Sequence, residues 1–233
     1  MTSRRHFLQS AAAASLAPYS RADQHVILLG DSIFDNGRYT NGGPSLVTQV
    51  RERLLPGWKA SLLAVDGATS ESVLAQLERV PDDATQLVLS AGGNDALMKK
   101  GILDAPVRSS AETFNQLSKA VMEFEANYRK LIRACLRREI PLVVCTVYNG
   151  NFPDPGYQRR ATVALAVFND VILRSATEFR LKVLELRQIC NRPEDYANSI
   201  EPSSVGGEKI ATVIVRELNV PLAKNAGALV IGM

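Results

Sequence analysis

Val26-Ile27-Leu28-Leu29-Gly30-Asp31-Ser32-Ile33-Phe34-Asp35-Asn36-Gly37 is the stretch whose reading decides the fold. Four apolar residues run into a glycine, an acid and a serine, the pattern of a strand buried on both faces that stops abruptly and presents a hydroxyl at its carboxyl end. In open α/β sheets ligands bind at that edge, which makes Ser32 the first candidate for chemistry.

The same signature recurs outward from it. Residues 59–65, 86–91, 141–147 and 181–186 read as further strands, and three of them close in glycine-rich or polar loops. Between them, apolar residues at helical spacing predict a helix from Pro44 to Leu55 and a short one through Val73, Leu74 and Leu77. A long helix is marked by Phe114, Leu117, Val121, Phe124, Tyr128, Leu131 and Cys135, and two more span about 158–178 and 203–218. Strand, polar loop and helix alternate, which predicts parallel pairing through right-handed crossovers: an α/β domain over residues 23–233, with three α/β/α layers and a five-stranded parallel sheet. Residues 98–111 read as a surface excursion, and the mildly apolar tail 220–233 has no assigned role.

A chain of 233 residues that is 46% hydrophobic suits one domain with a full core. The formal charge is +3, and Arg4, Arg5 and Arg21, in an amino-terminal segment without acids, account for all of it. The remainder is near neutral, which argues against nucleic acid or another polyanion as partner. Arg4-Arg5-His6-Phe7-Leu8, the alanine-rich run after it and the small residues before Ala22 predict a twin-arginine signal over residues 1–22 and export to the periplasm or beyond. The alternative there is an ordinary exposed helix. No run of 18 apolar residues predicts a membrane span. Cys135, Cys145 and Cys190 lack metal-ligand spacing and read as buried free thiols.

Gly30-Asp31-Ser32, then Gly67 in Val65-Asp66-Gly67-Ala68-Thr69, then Gly92-Gly93-Asn94-Asp95 stand at three successive strand ends. In order and spacing they resemble the first three sequence blocks of the GDSL, or SGNH, hydrolases, and the resemblance runs from about residue 25 to 217. It implies a flavodoxin-like strand order and hydrolysis of a small-molecule, glycan or lipid ester without a cofactor. Ser32 would be the nucleophile, and its own N–H, the Gly67 N–H and the Asn94 side chain would hold the oxyanion.

The fourth block departs from the family. An aspartate and, three positions later, a histidine belong before the last helix; this chain has Asn198 and Glu201. The two histidines present, His6 and His25, offer no replacement, because His25 begins the first strand, about 20 Å from Ser32. Two readings follow. In one, Glu201 is the general base of a Ser-Glu dyad, its pKa raised by burial and by Asp31, Asp35 or Asp95, with Asn198 donating a hydrogen bond to it. Those three aspartates are also the candidates for substrate contact. In the other, the fold keeps its pocket and binds an acyl or glycan ligand with little turnover. A third arrangement takes Asp31, Asp35, Asp95 and Glu201 as oxygen ligands of a divalent cation. Tyr148, Phe152 and Tyr157 read either as lining for a pocket or as loop structure.

Overall fold

The computed structural model describes residues 23–218 and 228–233; the expected signal segment lies outside them. The 26–29 run forms strand β1 (His25–Gly30), an interior strand of a parallel sheet with β2 (Lys59–Leu62), β3 (Gln86–Ser90), β4 (Leu142–Cys145) and β5 (Lys182–Leu184). The strand order is β2-β1-β3-β4-β5-β6. The sixth strand, β6 (Leu229–Ile231), pairs in parallel with β5 and corrects the five-stranded expectation. Three residues, two of them exposed at the sheet edge, are too few to show an alternation in sequence.

Both faces of the sheet are covered, which is why its strands read as continuous apolar runs. Ile27, Leu29, Leu87 and Leu89 face a layer made by the 3-10 helix Ser72–Arg79, helix α3 (Ser110–Leu136) and helix α4 (Pro155–Phe179). Val26, Leu28 and Val88 alternate to the opposite face, under α1 (Leu46–Arg53) and α6 (Ser204–Leu218). Two short helices, α2 (Gly93–Leu97) and α5 (Leu186–Ile189), follow β3 and β5.

The carboxyl end of β1 is fixed by a close approach of backbones. Gly30 has φ +132°, and a Cβ there would lie 1.7 Å from the Ser90 carbonyl oxygen of β3, so no side chain fits. Gln76 clamps the same residue from the 3-10 helix: its Oε1 accepts from the Gly30 N–H and its Nε2 donates to the Gly30 carbonyl, both at 2.8 Å. Ser32 therefore stands two residues beyond a strand end held on two sides.

Candidate active site

After Gly30 the chain turns tightly, with the Asp31 carbonyl accepting from the N–H groups of Phe34 and Asp35 at 3.1 Å. The turn leaves the Ser32 N–H without a protein acceptor, and the same holds for Gly67 among the described residues. Gly67 is exposed at φ +81° in the loop after β2. Asn94, on the first turn of α2, donates its Nδ2 to the Ala68 carbonyl at 3.0 Å, which ties the second and third strand-end loops together and leaves one amide hydrogen uncommitted.

Ser32, Asn94, Asp31 and Glu201 line one cavity. Glu201 is 6% exposed, and its Oε2 is buried without a hydrogen-bond partner. Burial raises its pKa above the usual carboxylate range; the nearby Ser32 hydroxyl opposes the rise and the Asp66 charge adds to it. Asp66 in turn accepts from the Tyr39 hydroxyl at 2.7 Å. Asp31 is fully buried, accepts from Ile33 N–H at 3.2 Å and is pushed up to about 7, mainly by burial and further by the charges of Glu201 and Asp95.

Glu201 is delivered by a loop closed on itself. Buried Asp195 accepts from the N–H groups of Asn191 and Arg192 at 3.0 Å, and its carbonyl accepts from Ser203 N–H at 2.9 Å. Tyr196 and Pro202 form an antiparallel bridge, and Gly206 of α6 packs so near the Asp195 carbonyl that a Cβ would lie 2.2 Å from it. The loop is moored to the rest of the fold by the ion pair of Lys209 with buried Asp195 at 2.6 Å and by hydrogen bonds, three of them with distant parts of the chain. Tyr148 donates to the Ile200 carbonyl at 2.6 Å, Asn151 N–H to Ser199 at 2.8 Å, and buried Asn36 to Pro202 at 3.3 Å.

Four sequence expectations take other places. Asn198 is exposed and does not donate to the Glu201 carboxylate; its Oδ1 accepts from the Ile200 and Glu201 N–H groups at 2.9 Å, so it shapes the turn that carries the base. Asp35 accepts from Asp66 N–H at 3.0 Å, and Asp95 takes both the N–H and the hydroxyl of Ser70, at 2.9 and 2.6 Å. Both brace the 66–70 loop and neither lines the cavity. With these carboxylates turned to the backbone, the four acids do not converge on a cation, and among the described residues no group of three or more His, Cys, Asp or Glu side chains is placed to hold a metal.

The 98–111 segment is more than a surface excursion. Its 3-10 helix Lys100–Leu103 sends Ile102 and Leu103 into the cavity wall opposite Leu117 of α3 and Leu165 and Phe168 of α4. Tyr148, Phe152 and Tyr157 line the same cavity. Its volume is about 100 Å³, several times what one water molecule needs, and its wall is mostly apolar.

His25 belongs to a separate network at the opposite end of β1. Its Nδ1 pairs with Asp83 at 2.7 Å and its Nε2 with the Ser61 hydroxyl at 2.8 Å, which joins β1, β2 and the turn before β3. These are triad distances, yet Ser61 lines neither the Ser32 cavity nor the one at the amino-terminal end of the sheet.

The model of the GDSL-like lipase/acylhydrolase family matches residues 28–206. No curated protein matches this sequence. Among solved structures, an extracellular lipase from Streptomyces rimosus superposes with TM-score 0.63 at 17% identity, covering 84% of this chain and 100% of that one. Phospholipase A1 from Streptomyces albidoflavus does so with TM-score 0.60 at 15% identity, covering 85% and 100%. A carbohydrate acetylesterase from Sinorhizobium meliloti gives 0.58 at 12%, covering 84% and 98%. At such identities the likeness is one of fold, and the three names differ in substrate.

Proposed function

Since this chain belongs to the GDSL-like lipase/acylhydrolase family, we propose that it hydrolyses carboxylic esters with Ser32 as nucleophile and Glu201 in place of the histidine base. The observation that carries this reading is that Ser32 shares its cavity with a buried carboxylate, Glu201, one oxygen of which has no hydrogen-bond partner. As Oγ attacks the ester carbonyl, its proton passes to Glu201. The Ser32 and Gly67 N–H groups and the free Asn94 amide hydrogen are the donors for the oxyanion. The protonated Glu201 then gives its proton to the departing alkoxide. Water, deprotonated by the same carboxylate, releases the acid from the acyl-serine and restores the hydroxyl.

Lifting the carboxylate pKa brings Glu201 closer to what proton transfer at neutral pH requires, although it stays a weaker base than imidazole. Turnover is therefore modest. The apolar cavity takes the acyl group, and the polar side around Tyr39 and Asp66 takes the alcohol. We assign export to the twin-arginine run at residues 4–5.

The test is release of p-nitrophenol from short-chain esters between pH 5 and 9, together with labelling by a fluorophosphonate. Activity and label that both vanish in Ser32→Ala support the assignment. A wild type that binds esters without cleaving them, and stays unlabelled, would mark the site as one for binding alone.

A further inference from the structure

Several of the most exposed apolar side chains gather at the mouth of the Ser32 cavity. Met98, Phe114 and Val163 are 73%, 66% and 67% open to solvent. Each adjoins the cavity wall: Met98 follows Leu97, Phe114 precedes Leu117 by one helical turn, and Val163 precedes Ala164. Phe114 and Val163 also lie at one level. Helices α3 and α4 run parallel, and Glu125 and Arg129 of α3 pair with Arg174 and Glu178 of α4, both with an offset of 49 residues. Carried to the helix starts, that register sets Phe114 level with Val163. Large exposed apolar side chains grouped at a pocket mouth mark an interaction surface.

The charge around them is net positive. Residues 97–119 and 154–163 hold six lysines and arginines against three acids, whereas the chain as a whole is nearly balanced. Arg160 is tied to Asp104 and Lys99 to Glu123. Lys100, Arg108, Lys119 and Arg159 enter no ion pair among the described residues.

We propose that this rim docks the protein on an anionic lipid surface, with Met98, Phe114 and Val163 entering the acyl boundary and the cavity mouth opening onto the bilayer. Basic side chains flanking a shallow apolar patch are what such a surface attracts. A second copy of this chain fits less well, because a symmetric contact would set the basic rim against itself. The proposal rests on the ester-hydrolase reading for what enters the cavity; the docking itself needs no turnover.

The experiment is co-sedimentation of the full-length Ser32→Ala chain with vesicles of phosphatidylcholine alone, or with phosphatidylglycerol added. Binding is expected on the mixed vesicles and to weaken in high salt. It should fall at least tenfold when Phe114→Ser and Val163→Ser are added together. The pair Arg108→Glu and Arg159→Glu reads the same docking through charge, so misfolding of the first pair leaves the test standing. Absence of binding, equal binding to both vesicle types, or binding undiminished by either pair overturns the proposal. So does a dimer, seen by sedimentation velocity, that the serine pair dissolves. The hydrolase reading is read separately, from soluble p-nitrophenyl ester turnover by the otherwise wild-type chain carrying the serine pair. No turnover beside intact vesicle binding counts against the hydrolase and leaves the docking in place.

Discussion

Ser32, just past the end of β1, and the buried carboxylate Glu201, on the loop before α6, come together in the lining of one cavity. A serine beside an acid is a different proton-transfer pair from a serine beside imidazole, and the differences are measurable.

Glu201→Gln keeps the shape and removes the basic oxygen. The expected result is a fall in kcat of about 100-fold or more on a soluble p-nitrophenyl ester, with KM nearly unchanged, as for loss of a general base. Glu201→His combined with Asn198→Asp restores the usual pair and should raise the rate above wild type at pH 8.

The pH profile should rise through a midpoint above the ordinary carboxylate range, since the base acts only when ionised and its pKa is raised. Asp66→Asn removes one repelling charge. Ionisation of Glu201 then needs less alkali, and the acid limb of kcat/KM moves to lower pH. A limb that stays in place would show that the midpoint belongs to another group.

Asp31 affects stability more than rate. Its folded pKa, about 7, lies above its unfolded value, so between about pH 4 and 7 the folded chain holds a proton that the unfolded chain has lost. Stability falls across that window as pH rises. Asp31→Asn abolishes the penalty, and thermal melts should show the variant more stable than wild type at pH 8, by up to about 4 kcal/mol. At pH 4 the two should melt together.

Ser70→Ala removes the hydroxyl bond to Asp95 and leaves only the backbone N–H bond to tie the 66–70 loop, and with it Gly67, to α2. Stopped assays should show kcat reduced about tenfold, with KM moving less, as for a displaced oxyanion donor. Glu201→Gln, by contrast, should flatten the pH profile, which Ser70→Ala leaves in shape.

His25→Ala separates the remote network from the site. Urea titration should show a loss of about 1–2 kcal/mol, from the two side-chain bonds to Asp83 and Ser61. The rate per folded molecule should not change.

The serine at the strand end and the layer order are legible in the sequence because they depend on local pattern. Residues 26–32 show a buried strand and an abrupt stop, and the three glycine-bearing blocks sit at strand ends. The clamp is not legible: Gln76 reads as one polar residue on a short helix, and only the fold brings it to Gly30. Asn36 reads first as half of an Asn-Gly turn, yet it accepts from Leu46 N–H and donates to Pro202. The aspartates at positions 35 and 95 are visible as acids at strand ends, but whether a carboxylate faces a ligand or a neighbouring backbone is decided by loops far apart in the chain. Phe114 belongs to the predicted apolar stripe of α3, yet it is largely exposed, which the stripe alone does not show.

The two halves of the chemistry reside on structurally independent supports. Ser32 is welded to the sheet through Gly30, while Glu201 rides on a segment whose two ends are joined at Asp195 and which is tied to the body through Lys209, Tyr148, Asn151 and Asn36, among others. That makes residues 191–203 an exchangeable cassette: a donor loop of equal length that retains the Asp195 closure and the Tyr148 mooring should bring in a new proton acceptor without disturbing the nucleophile.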